Sequence, residues 1–353
     1  MKGKRGDVMI KRMPVILFCL CLCFCGCGRQ DDKNMEPDGV SKEVFAMNTY
    51  ITMTAYGNDA DVALDSAEKR IWELESLWSV TDEKSEIYQL NHNGGSPFTV
   101  SEPTSELIQF ALSMAGKTEG ALEPTIYPVL AAWGFTTDFH QIPEQKEINQ
   151  LLQTVGYKKV QVQNQEILLP DGMQIDMGAV AKGFTGDQVA EILKDSKIES
   201  AIISLGGNIQ TVGTKPDGGL WRIGVQSPGG EENFAVLETA ECAVVTSGGY
   251  QNYFEGEDGT VYHHILDPKT GKSARSGLLS VTVVGKEGKV CDALSTALFV
   301  MGEEKAIRYW QENSDFDLIL YTEKDKIIIT EGLEDKFKLA EEYGNLPVTV
   351  QRR

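Results

Sequence analysis

From about residue 159 to residue 284 the sequence consists of short apolar stretches that alternate with glycine-containing turns. Such stretches are typical of β-strands, and glycine adopts the positive φ angles of tight turns at little cost. Two segments with helical spacing, Phe184–Leu193 and Ala293–Met301, interrupt them. The pattern predicts an α+β (mixed α/β) fold of mixed sheets with flanking helices. The predicted strands are Lys159–Val162, Glu166–Leu169, Met173–Met177, Ala201–Ile209, Trp221–Gln226, Phe234–Glu238, Val244–Thr246, Tyr262–Leu266 and Leu278–Val284.

The first half of the chain carries mostly helical patterns. Glu43–Gly57 alternates like a strand, and helices are predicted at Asp59–Trp78, Pro103–Thr118 and Glu144–Val155. No linker, low-complexity run or internal repeat divides the sequence after residue 42. Residues 42–353 are therefore expected to form one large domain.

The N-terminus has the layout of a lipoprotein signal. Five basic residues precede an eleven-residue apolar run from Val15 to Cys25, which Gly26 and Cys27 follow. This run is shorter than the roughly 20 residues of a membrane-spanning helix, so a cleaved secretory signal over residues 1–26 is favoured. Cys27 would then carry a lipid, residues 27–41 would form a flexible tether, and the protein would lie outside the cytosol at a membrane. The alternatives are an uncleaved membrane anchor and cleavage without a lipid.

The chain is strongly acidic. Without residues 1–26 it has 28 Lys and Arg against 51 Asp and Glu, a net charge of −23. Such a surface repels nucleic-acid phosphates and anionic lipid headgroups, so nucleic acid is excluded as an expected partner and membrane attachment is left to the lipid.

Two cysteines, Cys242 and Cys291, remain after Cys27. They can form at most one disulfide bridge, and two buried thiols are the favoured interpretation.

A glycine- and alanine-rich corner, Ile175–Gly183, leads from a predicted strand into a predicted helix. Small residues let a ligand approach the backbone, and a helix N-terminus together with Lys182 could bind a diphosphate. A tight turn before a capped helix would show the same pattern. This motif alone therefore does not separate ligand binding from a structural role.

A second candidate site begins at Asp292. Asp292 and Thr296 are four residues apart and so lie on one face of the helix that is predicted to start there. A carboxylate with a hydroxyl suits a hard cation such as Mg²⁺, which completes its shell with water and substrate phosphate. The structural alternative is an N-cap Asp followed by a Thr that faces the core.

Two of the four histidines, His263 and His264, are adjacent and precede a turn that ends at Gly271. Neighbouring residues of a strand point to opposite faces, so only one of the two is expected to reach a given site.

The sequence does not favour two other kinds of site. Neither a cysteine cluster nor a His-Glu-x-x-His motif supports zinc binding, and no nucleophile elbow supports acyl transfer.

Eight segments, in their order along the chain, resemble the ApbE family, the FAD:protein FMN transferases. They are Phe45–Thr49, Ser85–Asn91, Gly120–Thr125 with Trp133–Phe135, Ile175–Gly183, Ser204–Asn208, Thr246–Tyr250, His264–Gly271 and Asp292–Thr296. Each is a modest pattern, but eight in register are specific. The resemblance implies a single large ApbE-like domain, related to the T-fold.

The resemblance further implies an enzyme that binds FAD and Mg²⁺, transfers FMN to a Thr or Ser hydroxyl of an acceptor protein with a flavinylation motif, and releases AMP. Such acceptors include subunits of membrane redox complexes. The cation would bind the Asp292 carboxylate, the Thr296 hydroxyl and the Ala179 carbonyl. His264 matches the proposed general base of the family, and Asp267 is the alternative base. The implied FAD contacts are Met47, Thr81, Leu122, Glu123, Pro124, Asp176, Lys182 and Leu266.

Elementary chemistry agrees with these roles. Cleavage of a phosphoanhydride requires stabilisation of charge on the phosphoryl oxygens, which a cation and Lys182 can provide. The acceptor hydroxyl must lose a proton as it attacks, and a neutral His264, with a reference pKa near 6.5, can accept it.

Three positions depart from the family pattern: Asn48, where the family often has Gly, Glu123, where Asp is common, and Thr81. The first two are chemically mild, and Thr81 is the most consequential. Many members have a tyrosine near the position of Thr81 that stacks against the ligand, and Thr81 has no ring. Trp78 or Tyr88 could supply that ring. If neither does, water has easier access to the flavin phosphate, and an Mg²⁺-dependent FAD pyrophosphatase becomes the alternative. A second alternative is a lipoprotein that only captures flavin for a transporter, although Asp292 with Thr296 favours catalysis over capture.

Overall fold

The computed structural model describes residues 39–137, 139–230 and 232–353. The predicted signal peptide, Cys27 and most of the tether lie outside these residues. The helices in the described residues are α1 (Ala60–Trp78), α2 (Glu86–Asn91), α3 (Glu102–Lys117), α4 (Tyr127–Ala132), α5 (Gln145–Leu151), α6 (Ala181–Asp195), α7 (Gly288–Met301) and α8 (Glu303–Glu312). No helix in these ranges has both the length and the apolarity needed to cross a bilayer.

The strands of the same residues are β1 (Val40–Ala46), β2 (Thr49–Tyr56), β3 (Phe98–Thr99), β4 (Gln161–Gln163), β5 (Glu166–Leu168), β6 (Ser200–Leu205), β7 (Asn208–Gly213), β8 (Trp221–Gln226), β9 (Asn233–Thr239), β10 (Ala243–Gly248), β11 (Tyr253–Glu255), β12 (Val261–His263), β13 (Leu266–Asp267), β14 (Lys272–Ser273), β15 (Leu278–Gly285), β16 (Phe316–Thr322), β17 (Ile327–Thr330), β18 (Phe337–Leu339) and β19 (Val348–Gln351). Because β1 begins at Val40, Val40 and Ser41 belong to the folded domain and not to the tether.

The largest sheet of the described residues has nine strands in the order β1-β2-β6-β7-β10-β15-β16-β17-β19. Its neighbours pair antiparallel except β17 and β19, which run parallel. The sheets β18-β9-β8 and β3-β5-β4 and the pairs β11-β12 and β13-β14 are separate from it. Several sheets with helices packed against them confirm the predicted mixed fold.

The nine-stranded sheet has an apolar core on each face. On one face α1 and α6 pack against β1, β2 and β6 and bury side chains such as Leu64, Ile71 and Ile203. Helix α7 packs beside α6, against β10 and β15. On the opposite face the β18-β9-β8 sheet contributes Trp221 and Phe234 to a second core. This arrangement places α6 and α7 side by side on one face.

The two cysteines lie on opposite faces of this sheet. Cys242 belongs to the core beneath the β18-β9-β8 sheet, and Cys291 on α7 belongs to the helical face. Both are buried and free because the sheet lies between them. Burial raises the pKa of both thiols, which keeps them protonated. The prediction of two buried thiols is confirmed.

Two segments that were each predicted as a single strand are hairpins. Glu43–Gly57 divides into β1 and β2 at the Met47-Asn48 turn, where φ is 52° and 56°. Ala201–Ile209 divides into β6 and β7 at the Gly206-Gly207 turn. Two-residue turns with positive φ at both positions match the twist of an antiparallel hairpin. The first turn was not predicted, because Met47 and Asn48 hardly interrupt the alternation of apolar and polar residues and neither is a glycine.

The predicted strand Met173–Met177 is wrong. The main chain of Ile175 pairs with the side chain of Asn91, 84 residues away in sequence, and not with a neighbouring strand. Ile175 N donates to Asn91 Oδ1 at 2.7 Å, and Asn91 Nδ2 donates to Ile175 O at 2.9 Å. This pair of hydrogen bonds attaches the end of α2 to the segment that leads into α6.

Helix α7 begins at Gly288, and not at Asp292 as the sequence predicts. Glu287, at the N-cap, forms no capping hydrogen bond through its side chain. The Asp187 carboxylate on α6 accepts from Gly288 N at 2.6 Å and from Lys289 N at 3.0 Å and so caps the helix. Asp292 therefore lies in the second turn of α7.

Helices α6 and α7 approach closely at Gly183 and Gly288. A Cβ added to Gly183 would lie 2.2 Å from Gly288 O and 2.7 Å from Asp292 Cβ. No side chain fits at this position without separating the helices. The close approach also brings the Gly183 amide within reach of Asp292.

Gly183→Ala is expected to lower the free energy of unfolding by about 3 kcal/mol or more, because the methyl group would push α6 and α7 apart. Gly116→Ala is the matched control. Gly116 is also helical, has no positive φ, and an added Cβ would meet nothing closer than 4.0 Å, so this change should stabilise by about 0.5–1 kcal/mol. Urea unfolding measures both. A similar effect of the two substitutions would contradict the close packing.

Candidate active site

Asp292 connects α7 to the N-terminus of α6. Its side chain is buried, and Oδ2 accepts a hydrogen bond from Gly183 N at 2.8 Å. Among the described residues no hydrogen-bond donor reaches Oδ1. The carboxylate therefore keeps one oxygen for a ligand.

Two further oxygen donors of the predicted cation site lie beside this carboxylate. Thr296 follows one turn later on α7, and its Oγ1 is 3.2 Å from Ser247 Oγ. Ala179 lies four residues before Gly183, in the turn that precedes α6. Ala179 precedes the N-cap residue of α6, so its carbonyl lies outside the helical hydrogen-bond pattern, and no hydrogen bond of the described residues ends on it.

A carboxylate, a hydroxyl and a carbonyl are hard oxygen donors of the kind that Mg²⁺ prefers, so this set fits the predicted cation. It contains one acidic side chain, and the described part of the chain holds no group of three or more His, Cys, Asp or Glu that could bind a metal. A cation here would also require oxygens from substrate phosphate and water.

Lys182 lies in the first turn of α6. Its Nζ donates to Gly178 O at 3.4 Å, which holds the ammonium over the preceding turn. Asp176 Oδ1 accepts from Gly178 N at 2.7 Å. Burial raises the pKa of Asp176, while the Gly178 amide and Lys182 oppose that rise. A helix N-terminus with a lysine is a favourable place for a phosphate.

Glu123 and Pro124 lie beside Asp176. Pro124 O accepts from Asp176 N at 2.9 Å. The buried Glu123 carboxylate accepts hydrogen bonds from the Thr125 amide and hydroxyl and from the Tyr157 amide. Glu123 thus holds the main chain in place, and a ligand would meet this segment through backbone atoms.

The other predicted FAD contacts differ in their exposure. Met47, in the β1–β2 turn, is half-buried and lies against α6, where Thr185 Oγ1 donates to its Sδ at 3.5 Å. Leu122 and Leu266 are buried. Thr81 is exposed in the loop between α1 and α2. Met47 is thus in direct contact with the helix that carries Lys182.

His264 lies directly after β12 and has a defined tautomer. Its Nδ1 is 3.1 Å from Asn252 O. A carbonyl oxygen can only accept, so Nδ1 carries the hydrogen and Nε2 keeps its lone pair. Burial lowers the pKa of His264 to about 4, and the charges of Lys182 and His263 add to this effect. The ring is therefore neutral near pH 7 and can accept a proton at Nε2.

His263 and Asp267 are occupied by structural contacts. His263 Nε2 is 3.1 Å from Ala274 O, and its ring packs against α7. Asp267 Oδ1 accepts from Lys269 N at 2.9 Å within the turn. The two histidines make separate sets of contacts, but β12 ends at His263, so the predicted strand Tyr262–Leu266 does not continue through His264. His264 is better suited than Asp267 to act as a base.

A sequence model of the ApbE family matches residues 47–320. The FAD:protein FMN transferase of Vibrio cholerae is 32% identical over 262 residues, which cover 72% of this chain and 78% of that protein. The one from Klebsiella pneumoniae is 32% identical over 294 residues, which cover 80% and 89%. The chain belongs to the ApbE family.

Solved ApbE structures share its fold. The ApbE protein of Thermotoga maritima is 31% identical and has a TM-score of 0.80, over 85% of this chain and 99% of that chain. The flavin transferase ApbE of Vibrio cholerae is 25% identical and has a TM-score of 0.73, over 88% and 100%. These likenesses confirm the family and the fold class that the sequence predicts.

In this ApbE-family chain, Trp78 cannot supply the ring that Thr81 lacks. Trp78 is buried, donates from Nε1 to Thr104 Oγ1 at 3.2 Å and packs edge-on against Phe184. These contacts place it in the core beneath the site. Of the two rings that the sequence offers, Tyr88 is the one left.

Tyr88, on α2, is half-buried and stacks on His92 with a centroid distance of 4.0 Å. It lies one turn before Asn91, which binds the residue preceding Asp176. Burial and the Asp176 charge raise the pKa of Tyr127, and Tyr88 makes a smaller contribution. Tyr127 therefore lies close to Asp176 and Tyr88 lies close to Tyr127, so both rings are candidates for stacking on a ring of the ligand.

Three residues of this ApbE-family site were not predicted from the sequence: Asp187, Ser247 and Tyr127. Ser247 Oγ lies 2.8 Å from Ser295 Oγ, next to its contact with Thr296. Ser247 belongs to a segment that carries the family resemblance, which was a usable signal. For Asp187 the signal was the lack of a capping Ser, Thr, Asp or Asn where α7 begins.

The two buried histidines are expected to contribute a loss of stability as the pH is lowered from about 6.5 to about 4. The pKa of both His263 and His264 is lowered to about 4 in the folded protein, so in this window the unfolded chain binds more protons and acid favours unfolding. His264→Gln should reduce this loss by up to roughly 3 kcal/mol. Urea unfolding at several pH values measures it, and an unchanged pH dependence in the variant would be evidence against the assigned burial of His264.

Proposed function

We propose that the protein transfers FMN from FAD to a Thr or Ser hydroxyl of an acceptor protein and releases AMP, with Mg²⁺ as cofactor. One observation carries the proposal. A single site combines the oxygen donors around Asp292, Lys182 at a helix N-terminus and a neutral His264 with a free Nε2. The relatives from Vibrio cholerae and Klebsiella pneumoniae, both FAD:protein FMN transferases, support the same activity.

In this mechanism the FAD pyrophosphate lies at the N-terminus of α6. The Lys182 ammonium and the Lys182 main-chain amide bind phosphoryl oxygens and stabilise the charge that develops as the anhydride breaks. A divalent cation held by Asp292, Thr296 and the Ala179 carbonyl would supply Lewis-acid stabilisation of these oxygens. In a chain with a net charge of −23 after the signal, such positive groups offset the repulsion of an anionic substrate.

His264 Nε2 takes the proton of the acceptor hydroxyl as the hydroxyl oxygen attacks the FMN phosphorus. The new bond joins that oxygen to phosphorus, the anhydride bond breaks, and AMP leaves with the electron pair. The hydrogen bond from Nδ1 to Asn252 O stabilises the protonated ring. The bound pyrophosphate also favours the protonated ring, which raises its pKa towards neutrality when FAD is present.

The same residues could catalyse hydrolysis if water replaced the acceptor hydroxyl, and the exposed Thr81 offers no ring to exclude it. The decisive experiment incubates the purified full chain with FAD, Mg²⁺ and an acceptor protein that carries a flavinylation motif. An acceptor whose motif Thr or Ser is replaced by Ala is the matched control. Flavin fluorescence in the gel on the acceptor with the intact motif, and not on the Ala variant, supports transfer. Free FMN and AMP without a labelled acceptor would establish hydrolysis instead, and unchanged FAD would leave only flavin binding.

Two substitutions separate the roles within the site. In Asp292→Asn an oxygen can still accept the Gly183 amide but the charge is lost, so the transfer rate should fall by roughly 100-fold or more. His264→Ala should slow transfer by about 100-fold or more, with FAD affinity retained. Transfer assays quenched at fixed times measure the transfer rate, and quenching of flavin fluorescence measures the FAD affinity. Normal turnover by Asp292→Asn would refute the cation site, and normal transfer by His264→Ala would reassign the base to Asp267 or to no side chain.

We also propose that the mature protein is attached outside the cytosol by a lipid on Cys27 and acts on subunits of membrane redox complexes. β1 begins at Val40 and ends next to the Met47 turn of the site, about 20 Å along the strand. A fatty-acid analogue should label the protein but not Cys27→Ser, and labelling of both would rule out this attachment.

A further inference from the structure

We propose that Asp187 is a positioning residue of the cation site. It holds the first turn of α7 in place and thereby sets where Asp292 and Thr296 present their oxygens. The inference rests on the proposed function, because it concerns the same site, but Asp187 itself contacts neither the cation nor FAD in this proposal.

The contacts of Asp187 account for both of its carboxylate oxygens. Oδ1 accepts from Gly288 N at 2.6 Å and from Gln210 Nε2 at 2.9 Å, and Oδ2 accepts from Lys289 N at 3.0 Å. Glu287, the N-cap residue of α7, makes no capping hydrogen bond through its side chain. The amides at the start of α7 are therefore bound by a carboxylate from the neighbouring helix.

The reverse contact exists at the start of α6. Asp292, on α7, accepts from Gly183 N, and the α6 N-cap residue Val180 makes no capping hydrogen bond through its side chain. Each helix is thus capped by a carboxylate of the other. The Gly183–Gly288 contact lies between the two caps, so α7 cannot slide or rotate relative to α6 without breaking hydrogen bonds at one of them.

This arrangement matters because the cation donors are divided between the helices. Asp292 and Thr296 belong to α7, whereas the Ala179 carbonyl belongs to the turn before α6. The spacing of the three oxygens therefore depends on the position of α7 relative to α6. Groups that orient metal ligands in this indirect way typically alter metal affinity by about 10- to 100-fold.

The test uses the full chain and measures binding as well as activity. Asp187→Ala should weaken Mg²⁺ binding, measured by isothermal titration calorimetry with FAD present and no acceptor, by about 10-fold or more. FAD affinity in EDTA should be unchanged, and saturating Mg²⁺ should restore kcat, so that the defect is in the KM for Mg²⁺. Hydrogen exchange of the Gly288 and Lys289 amides should accelerate.

Asp317→Ala is the matched control for a loss of stability. Asp317 is a half-buried carboxylate on β16 that accepts from Thr330 Oγ1 at 2.7 Å, on a strand residue that faces away from α7. The Asp317→Ala substitution should destabilise the fold without altering the Mg²⁺ affinity. Asp187→Asn, which keeps one acceptor oxygen, is the variant to use if Asp187→Ala does not fold.

Wild-type Mg²⁺ affinity in a folded Asp187 variant would overturn the positioning role. An equal loss of affinity in Asp317→Ala would overturn it too, since the effect would then follow from stability alone. If the wild-type chain bound no Mg²⁺, the cation site of the proposed function would itself be wrong. The titration of the wild-type chain therefore distinguishes failure of this inference from failure of the function.

Discussion

The reciprocal capping of α6 and α7 is the constraint on which the site depends. The N-terminal amides of a helix have no partner within the helix, and burying them without one is costly. Here the partners come from Asp187 and Asp292 on the opposite helix. Gly183 and Gly288 permit the close approach that these short hydrogen bonds require. The contact with Gly183 uses Oδ2 of Asp292, and among the described residues neither Asp292 Oδ1 nor the Ala179 carbonyl accepts a hydrogen bond.

A strongly acidic chain binds an anionic substrate only if its own carboxylates do not repel it. Around the site most carboxylates already accept hydrogen bonds from main-chain amides: Asp176 from Gly178, Glu123 from Thr125 and Tyr157, and Asp267 from Lys269. These amides partly neutralise the carboxylate charge and fix the turns that form the site. Lys182 and the α6 N-terminus are then left to interact with phosphate.

Part of the site could be predicted because it depends on local periodicity. Asp292 and Thr296 share a helix face wherever that helix begins, and this held although α7 starts at Gly288. The separate contacts of His263 and His264 do not follow from strand alternation, because β12 ends at His263. The tautomer and the lowered pKa of His264 were beyond sequence reasoning, because they result from Asn252 and from burial by distant segments.

The sequence by itself determined the mixed fold, the family resemblance, the acidic net charge and most of the residue types in the site. Tertiary structure decided how these residues are held. It placed Ile175 against Asn91 instead of in a strand, made Asp187 the cap of α7, put Trp78 in the core and brought Tyr127 close to Asp176. The physical reason is that periodicity records which side of a local element is buried, whereas a hydrogen bond between distant segments exists only after packing has brought them together.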